Sequence, residues 1–297
     1  MNIFYNIIYS SKINWVLRNL NFFLAKILLV NFKIHPSGIL KVSINKKQNI
    51  YLKTNQTSYV TRELFWKKSK NYEYSCIFMK LIKKMSCFFD VGASIGYYSI
   101  LGAKINPDLK VYSFEPSIGP MIYLSENIKI NNFEDRINVN VVALSDKIGK
   151  IDFYEVFNNK YSSVYNLSGE HNLGTKSNLK VNKTLVESNT LDNFIKQNNI
   201  GKIDLIKLDT EGCEDLILKA STETIKRDHP IIICEVLFNK IEDSLELIMN
   251  NLGYEFYNHV ENYLEKVDSI KRSEDNGVRN CFFVPPNKRY LISDFLR

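Results

Sequence analysis

Cys87-Phe88-Phe89-Asp90-Val91-Gly92-Ala93-Ser94-Ile95-Gly96-Tyr97-Tyr98-Ser99 reads as a buried strand that runs into an acidic residue and a glycine-spaced loop before a helix begins near Tyr97. Gly92 and Gly96 let the backbone take positive φ and approach a ligand closely, and the amides opening the helix carry partial positive charge. An α/β protein builds a nucleotide pocket in this way. Three chemistries fit the loop taken alone: an adenosine cofactor such as S-adenosylmethionine (SAM), a dinucleotide, or a serine hydrolase, since Gly92-x-Ser94-x-Gly96 also spells a nucleophile elbow.

Downstream of this stretch, apolar runs of strand length alternate with helical periodicity. The pattern predicts strands over 110–114, 137–143, 203–208 and 230–236, with helices over 118–130, from after Gly212 to about 225, and over 241–251. Residues 150–156 and 179–187 read as extra β structure flanking a polar loop, 158–178, that contains His171. Segments 254–258 and 280–284 are too close in sequence for another regular crossover, so they are expected to pair antiparallel. The fold class that follows is α/β: a doubly wound, seven-stranded, mostly parallel sheet.

Upstream, residues 39–44 and 50–52 alternate as two short strands around Asn45-Lys46-Lys47-Gln48. The helix over 75–85 puts Ile77, Phe78, Leu81 and Ile82 on one face. Residues 1–85 form a basic N-terminal α+β extension and residues 86–297 the catalytic domain. The extension carries fifteen Lys or Arg against Glu63 and Glu73, a net charge of +13, which leaves −6 for the rest of a chain whose total is +7. Such a surface suits anionic lipid headgroups, a polyanionic substrate or nucleic acid, or is simply a solvated lysine-rich face. Within 13–34 the apolar residues are interrupted by Arg18, Asn19, Asn21, Lys26 and Asn31, which disfavours a membrane-spanning helix. An amphipathic helix remains, packed on the domain or resting on a membrane surface. The five cysteines have neither zinc nor redox spacing and suit a reducing, cytoplasmic setting.

Polar motifs fall at the carboxyl ends of five consecutive strands: Asp90 to Gly96, Glu115, Ser145-Asp146, Asp209 to Glu211, and Glu235. Ligands of open α/β sheets bind at those ends. Glu115 stands one strand-helix-strand step after Asp90, where a carboxylate accepts both hydroxyls of a ribose. The loop lacks the third glycine of a dinucleotide fingerprint, Tyr97-Tyr98 standing there instead, and this argues against the dinucleotide.

Together, residues 88–99, Val-Tyr-Ser-Phe-Glu-Pro (111–116), Leu124 with Asn127, Val-Val-Ala-Leu-Ser-Asp (141–146), Thr-Leu-Asp (190–192), Ile-Asp-Leu-Ile-Lys-Leu-Asp-Thr-Glu-Gly-Cys-Glu (203–214) and Glu235 resemble the FkbM-type SAM-dependent methyltransferases in order and spacing. The resemblance covers about residues 86–240. Ser94 stands where many members carry Asn, and Cys213 where Ala is usual. It implies a SAM methyltransferase fold and O-methylation of a hydroxyl on a sugar, a glycan or glycolipid precursor, or a secondary metabolite. Asp90, Gly92, Ala93, Ser94 and Gly96 would line the methionine part of SAM, Glu115 with Pro116 the ribose, and Ser145-Asp146 the adenine edge.

Loss of the acceptor's proton requires a base. Asp209 is the first candidate, Glu235 a second carboxylate beside it, and Lys207, on the face of Asp209 by two-residue alternation, would orient the hydroxyl or hold Asp209 ionised. Asp209 and Glu235 would also suit a divalent cation, although two carboxylates do not define a metal site. Acidic residues in a first helical turn complement the dipole, and this structural role is expected of Glu214. Two rivals remain: a hydrolase with Ser94, Asp209 and His259 in the chain order of α/β-hydrolases, and a nucleic-acid methyltransferase or binding protein using the basic N-terminus. The hydrolase has no His-Gly-Gly oxyanion segment. Nucleic acid is disfavoured because Asp-Thr-Glu-Gly follows the fourth strand, where amino-methylating enzymes carry Asp-Pro-Pro-Tyr, and because an acidic cleft repels phosphates.

Overall fold

The computed structural model describes residues 3–28, 32–156, 165–167 and 181–297. His171 and nearly all of the polar loop lie outside the described residues. The basic segment contains α1 (Ile3–Ile8), α2 (Ser11–Leu28), the antiparallel hairpin β1 (Gly38–Ser43) and β2 (Asn49–Thr54), α3 (Tyr59–Lys67) and α4 (Ser75–Leu81). Next come β3 (Cys87–Val91), α5 (Tyr97–Ile105), β4 (Lys110–Phe114), α6 (Ile118–Ile130), β5 (Ile137–Asn140) and β6 (Ala143–Leu144). The middle of the chain holds β7 (Gly149–Val156), β8 (Val181–Asn189), α7 (Leu191–Gln197), β9 (Leu205–Leu208), α8 (Glu214–Lys219) and α9 (Thr222–Asp228). It closes with β10 (Ile231–Glu235), α10 (Glu242–Asn251), β11 (Glu255–Val260), β12 (Tyr263–Val267) and β13 (Asn280–Val284).

The main sheet runs in the order β12-β11-β13-β10-β9-β3-β4-β5. Strands β10, β9, β3, β4 and β5 are parallel, and β13, β11 and β12 antiparallel. The doubly wound α/β architecture and the terminal antiparallel pairing are as expected. The eighth strand, β12, arises from a tight hairpin in which Val260 pairs with Tyr263 across Glu261-Asn262, with Glu261 at φ 53°. That turn lacks the glycine that usually marks a hairpin in sequence.

Two further elements depart from the pattern read in the sequence. The strand expected over 137–143 stops at Asn140, and Ala143 and Leu144 pair instead with Ser188 and Asn189 in a separate three-stranded sheet ordered β6-β8-β7. The helix expected after Gly212 to about residue 225 is two helices, broken where the Ser221 hydroxyl donates to the Ile217 carbonyl. Hydroxyls that bond back onto the preceding turn compete with the helix ladder.

Side-chain alternation along the parallel strands builds two cores. Phe89, Val91, Ile206, Leu208, Ile232 and Cys234 face the core covered by α7 to α10. Phe88, Leu205, Ile231 and Ile233 face the opposite core, which also takes in Leu40, Leu52, Ile77, Phe78 and Tyr98. That second core crosses residue 85, so the basic segment and the catalytic sheet are packed together. Each large side chain so buried contributes about 1.5–3 kcal/mol. Among the described residues no helix is long and apolar enough to cross a membrane.

Candidate active site

β4 lies on one side of β3 and β9 on the other, so the connections diverge at the carboxyl end of β3, where α/β sheets bind ligands. The quoted loop turns there under strict steric conditions. Gly92 has φ 73°, and a Cβ on it would overlap the Asp209 carbonyl oxygen; Gly96 has φ 86°, and its Cβ would overlap the Leu124 side chain. The Gly92 and Ala93 amides donate to the Phe114 carbonyl at 3.1 and 3.0 Å. Glu115 sits beneath the loop, 3% exposed, its Oε2 accepting from the Ser94 amide at 2.8 Å and its Oε1 from the Ser117 amide at 2.9 Å. Burial pushes this carboxyl up to about 7 against the pull of the two amides. A carboxylate offers about four lone-pair sites, so two remain for a ligand.

Two-residue alternation aims Asp90, Lys207 and Glu235 at the face covered by the basic segment. Asp90 and Lys207 are direct cross-strand partners. The Lys207 ammonium lies 3.5 Å from Asp90 Oδ1 and 3.1 Å from Asp209 Oδ2, and donates to the Gly92 carbonyl at 3.2 Å. Burial works against its charge, but Asp209 and Asp90 outweigh burial and raise its pKa, so the ammonium is held protonated. Asp90 Oδ2 accepts from the Ser99 amide and hydroxyl at 3.1 and 2.6 Å, while Asp90 Oδ1 has no hydrogen-bond donor.

Asp209 and Glu211 follow the end of β9, and Glu235 ends β10. The three carboxylates each place an oxygen within 4.8 Å of the others, a spacing that would admit a metal ion. Burial, then the charges of Asp209, Glu211 and Glu214, raises the Glu235 carboxyl far above its ordinary range, and Glu235 Oε2 is buried without a hydrogen-bond partner. Glu214 has a structural task. Its Oε1 accepts from the Thr210 amide at 2.6 Å and its Oε2 from the Gly212 amide at 3.0 Å, which clamps the loop carrying Asp209 and Glu211.

These groups open on a cavity of about 660 Å³ whose lining includes Gly92, Ser94, Glu115, Pro116, Ser145, Asp209 and Glu235. Phe114, Val142, Leu144, Ile151 and Phe153 give it an apolar side. Asp90, Ala93 and Lys207 line a smaller recess that shares Gly92, Ser94 and Asp209 with the main cavity. Two of the residues singled out in the sequence line neither space. Gly96 lies beneath the loop against Leu124, and Asp146 is exposed, accepting from the Ser145 hydroxyl at 3.1 Å.

The opposite wall comes from the basic segment: His35, Thr57, Tyr59, Arg62, Tyr72 and Glu73. Glu73 is the functional candidate that the sequence reading missed. Its Oε2 accepts from the Tyr98 hydroxyl at 3.0 Å, and burial, then the Asp209 charge, pushes it up to about 7. A signal was available, since Glu73 is one of two acidic residues among the first 85 and is flanked by Tyr72 and Tyr74. Tyr74 stacks on Tyr98 at 4.8 Å, fixing the wall to the first turn of α5.

For the hydrolase alternative the site offers little. Among the described residues no histidine bonds the Ser94 hydroxyl, and His259 sits on β11, four strands away from β3. With neighbouring strands about 4.8 Å apart, that is well beyond hydrogen-bond reach.

The model of a family described as the methyltransferase FkbM domain matches residues 90–269. A curated relative, the 2-O-methyltransferase NoeI of Sinorhizobium fredii, is 25% identical over 144 residues, which span 46% of this chain and 58% of that protein. The chain thus covers little more than half of that relative's length. Among solved structures, a methyltransferase FkbM from Methylobacillus flagellatus aligns with TM-score 0.42 and 16% identity over 67% of this chain and 43% of the other. An O-methyltransferase from Bacillus cereus in complex with SAH aligns with TM-score 0.39 and 13% identity, over 70% of this chain and 78% of the other.

Proposed function

The chain belongs to the FkbM methyltransferase family, and we propose that it transfers the methyl group of SAM to a hydroxyl oxygen of a sugar, a glycan or glycolipid precursor, or a secondary metabolite. The observation that carries this reading is Asp209, a carboxylate held 3.1 Å from a buried lysine on a cavity that also contains Glu115. The printed activity of NoeI, a 2-O-methyltransferase, favours oxygen as the acceptor atom.

The residues fit SAM. Gly92 removes the Cβ that would fill the turn, Glu115 keeps lone pairs for a ribose, and the apolar side around Phe114, Val142 and Leu144 suits a purine. In this reading Asp90, Gly92, Ala93 and Ser94 shape the methionine end, with Gly96 setting the turn beneath them, Glu115 and Pro116 hold the ribose, and Ser145, whose hydroxyl bonds the exposed Asp146, borders the adenine. When bound, SAM supplies an electrophilic methyl carbon on a sulfonium. Asp209 takes the proton of the acceptor hydroxyl as its oxygen is alkylated, and Lys207, 3.1 Å away, fixes the carboxylate's position. Glu235 and Glu73 border the acceptor side. Should a divalent cation take part, Asp209, Glu211 and Glu235 would hold it. Activity unchanged by EDTA and by added Mg²⁺ or Mn²⁺ would remove that role.

Calorimetry of SAM with wild type and Glu115→Ala tests the cofactor site. Loss of a hydrogen-bonding carboxylate is expected to weaken binding roughly ten- to a hundredfold. Undiminished binding in the variant, or none in wild type, overturns the assignment.

A further inference from the structure

Helix α2 is inside out. Soluble helices usually turn an apolar stripe to the core and polar residues to water. Here the most buried side chains are the polar Asn14, Arg18 and Asn21, with Phe22 packing beside them on Phe65 and Trp66. Asn14 Nδ2 donates to the His35 carbonyl at 3.0 Å, and its Oδ1 accepts from the Ser37 amide at 2.8 Å. Arg18 donates to the Ser37 and Ile39 carbonyls at 3.1 and 3.0 Å, and Asn21 bonds the Phe32 carbonyl and the Ile34 amide at 2.9 and 2.8 Å. Polar side chains thus satisfy the backbone of the extended strip entering β1. Gly38 lets the strip pass close to the helix, since a Cβ there would overlap Ser11.

The opposite face meets water with Ile13, Val16, Leu20, Phe23 and Ile27, between 42 and 60% exposed, and Trp15 at 59%. At 100° per residue Val16, Leu20, Phe23 and Ile27 fall within one narrow stripe, with Lys12 and Lys26 along one edge and Trp15 beyond them. Phe4 and Ile7 of α1 are exposed as well, at 73 and 50%. Large apolar side chains exposed in a row along one helix face are the kind of surface that docks on a partner.

Charge chooses the occupant. The first 62 residues contain nine Lys or Arg and no Asp or Glu. A second copy of the chain docked face to face would set these cations against each other with no carboxylate from this segment between them. An anionic bilayer supplies the complementary charge and an apolar layer deep enough for the stripe.

We propose that α2 lies in the interface of an anionic phospholipid membrane, with Val16, Leu20, Phe23 and Ile27 in the acyl boundary and Lys12 and Lys26 at the headgroups. Because Asn14 holds the His35 carbonyl and His35 lines the cavity, the docked helix adjoins the cavity wall. An acceptor carried on a lipid would then be met at the surface where it resides. The docking does not rest on the methyltransferase reading, and its failure would leave that reading standing.

The test is partition of the full chain onto vesicles of phosphatidylcholine, alone or mixed with phosphatidylglycerol, at low and high salt. Binding to the mixed vesicles only, weakened by salt, is expected, with a blue shift of Trp15 fluorescence measured in a Trp66→Phe background. Leu20→Ser and Phe23→Ser should each lower partition roughly tenfold, as loss of one buried large apolar side chain implies, while Leu247→Ser, on the outer face of α10, should not. Trp15→Phe should keep binding and abolish the shift. Absence of binding to mixed vesicles at low salt overturns the proposal, and so does equal binding to neutral vesicles. It is also overturned if, without lipid, the chain is a sedimenting dimer that Leu20→Ser dissociates.

Discussion

The two ends of the parallel strands both carry acidic side chains but partner them differently. At the amino end Asp204 Oδ2 accepts from the Ser86 and Cys87 amides at 2.8 and 3.2 Å. There too Asp228 accepts from the Ile203 amide at 2.9 Å and pairs with Arg227 at 2.7 Å. Burial opposes the Asp228 charge, but Arg227 and the amide prevail and its pKa is lowered. At the carboxyl end Glu115, Glu73 and Glu235 are all raised, with burial the leading cause, and Asp90 Oδ1 and Glu235 Oε2 lack hydrogen-bond partners. The amino end gives its acids amide or arginine partners, whereas the other end leaves oxygens of Asp90 and Glu235 without donors. Such strain persists where a ligand or a reaction uses it.

The largest expected effect is at the strained end. Asp209→Asn keeps the shape of the side chain and removes the base, so kcat should fall about 10²- to 10⁴-fold while SAM affinity stays near wild type. Stopped-time methyl transfer alongside calorimetry separates the two quantities. An equal loss of SAM affinity would mean that Asp209 serves the cofactor and not the acceptor.

Next in size is a pH dependence of stability at Glu115. Its folded pKa of about 7 lies above the ordinary value of 4.5, so between these limits the folded chain binds more protons than the unfolded one. Stability of the cofactor-free chain should therefore fall as pH rises through that window, by something on the order of 3 kcal/mol. Thermal melts of wild type and Glu115→Gln across pH 5 to 8 read this directly, and identical slopes for the two would refute the buried, raised carboxyl.

Much of this end was legible in the sequence because it is local. Asp90, Gly92, Gly96 and Glu115 announce themselves through strand ends and glycine spacing, and Lys207 and Asp209 through alternation on one short strand. What escaped was assembled from distant segments. Glu73 reaches the site only because Tyr74 stacks on Tyr98, and the hairpin to β12 turns without a glycine. The orientation of α2 was hidden for another reason. Its periodicity correctly indicates two faces, but which face turns inward depends on the carbonyls and amides of residues 32–39 that its polar side chains bond, a tertiary fact.

At the well-satisfied end the effects should be smaller and confined to stability. Asp228→Ala removes the Arg227 pair and leaves the Ile203 amide without its acceptor, a cost of about 1–3 kcal/mol in denaturant unfolding. Methyl transfer at 25 °C should stay at the wild-type rate. A marked loss of kcat in a variant that remains folded would show that the two ends are coupled and would break the contrast between them.

Ser94 should give the smallest effect, although it lies at the centre of the loop that decides the fold. Its contribution to the site is a backbone amide, donated to Glu115 Oε2 at 2.8 Å, and alanine keeps that amide. Its φ of 50° is no more accessible to serine than to alanine, so the substitution adds little backbone strain. Ser94→Ala should change SAM affinity and kcat by at most about threefold, below the loss of a neutral hydrogen bond. A nucleophile elbow requires the opposite, complete loss on removal of the hydroxyl. Labelling of Ser94 by a fluorophosphonate would reinstate the hydrolase, since an alkoxide reactive enough to be trapped needs a base that a methyltransferase loop does not supply.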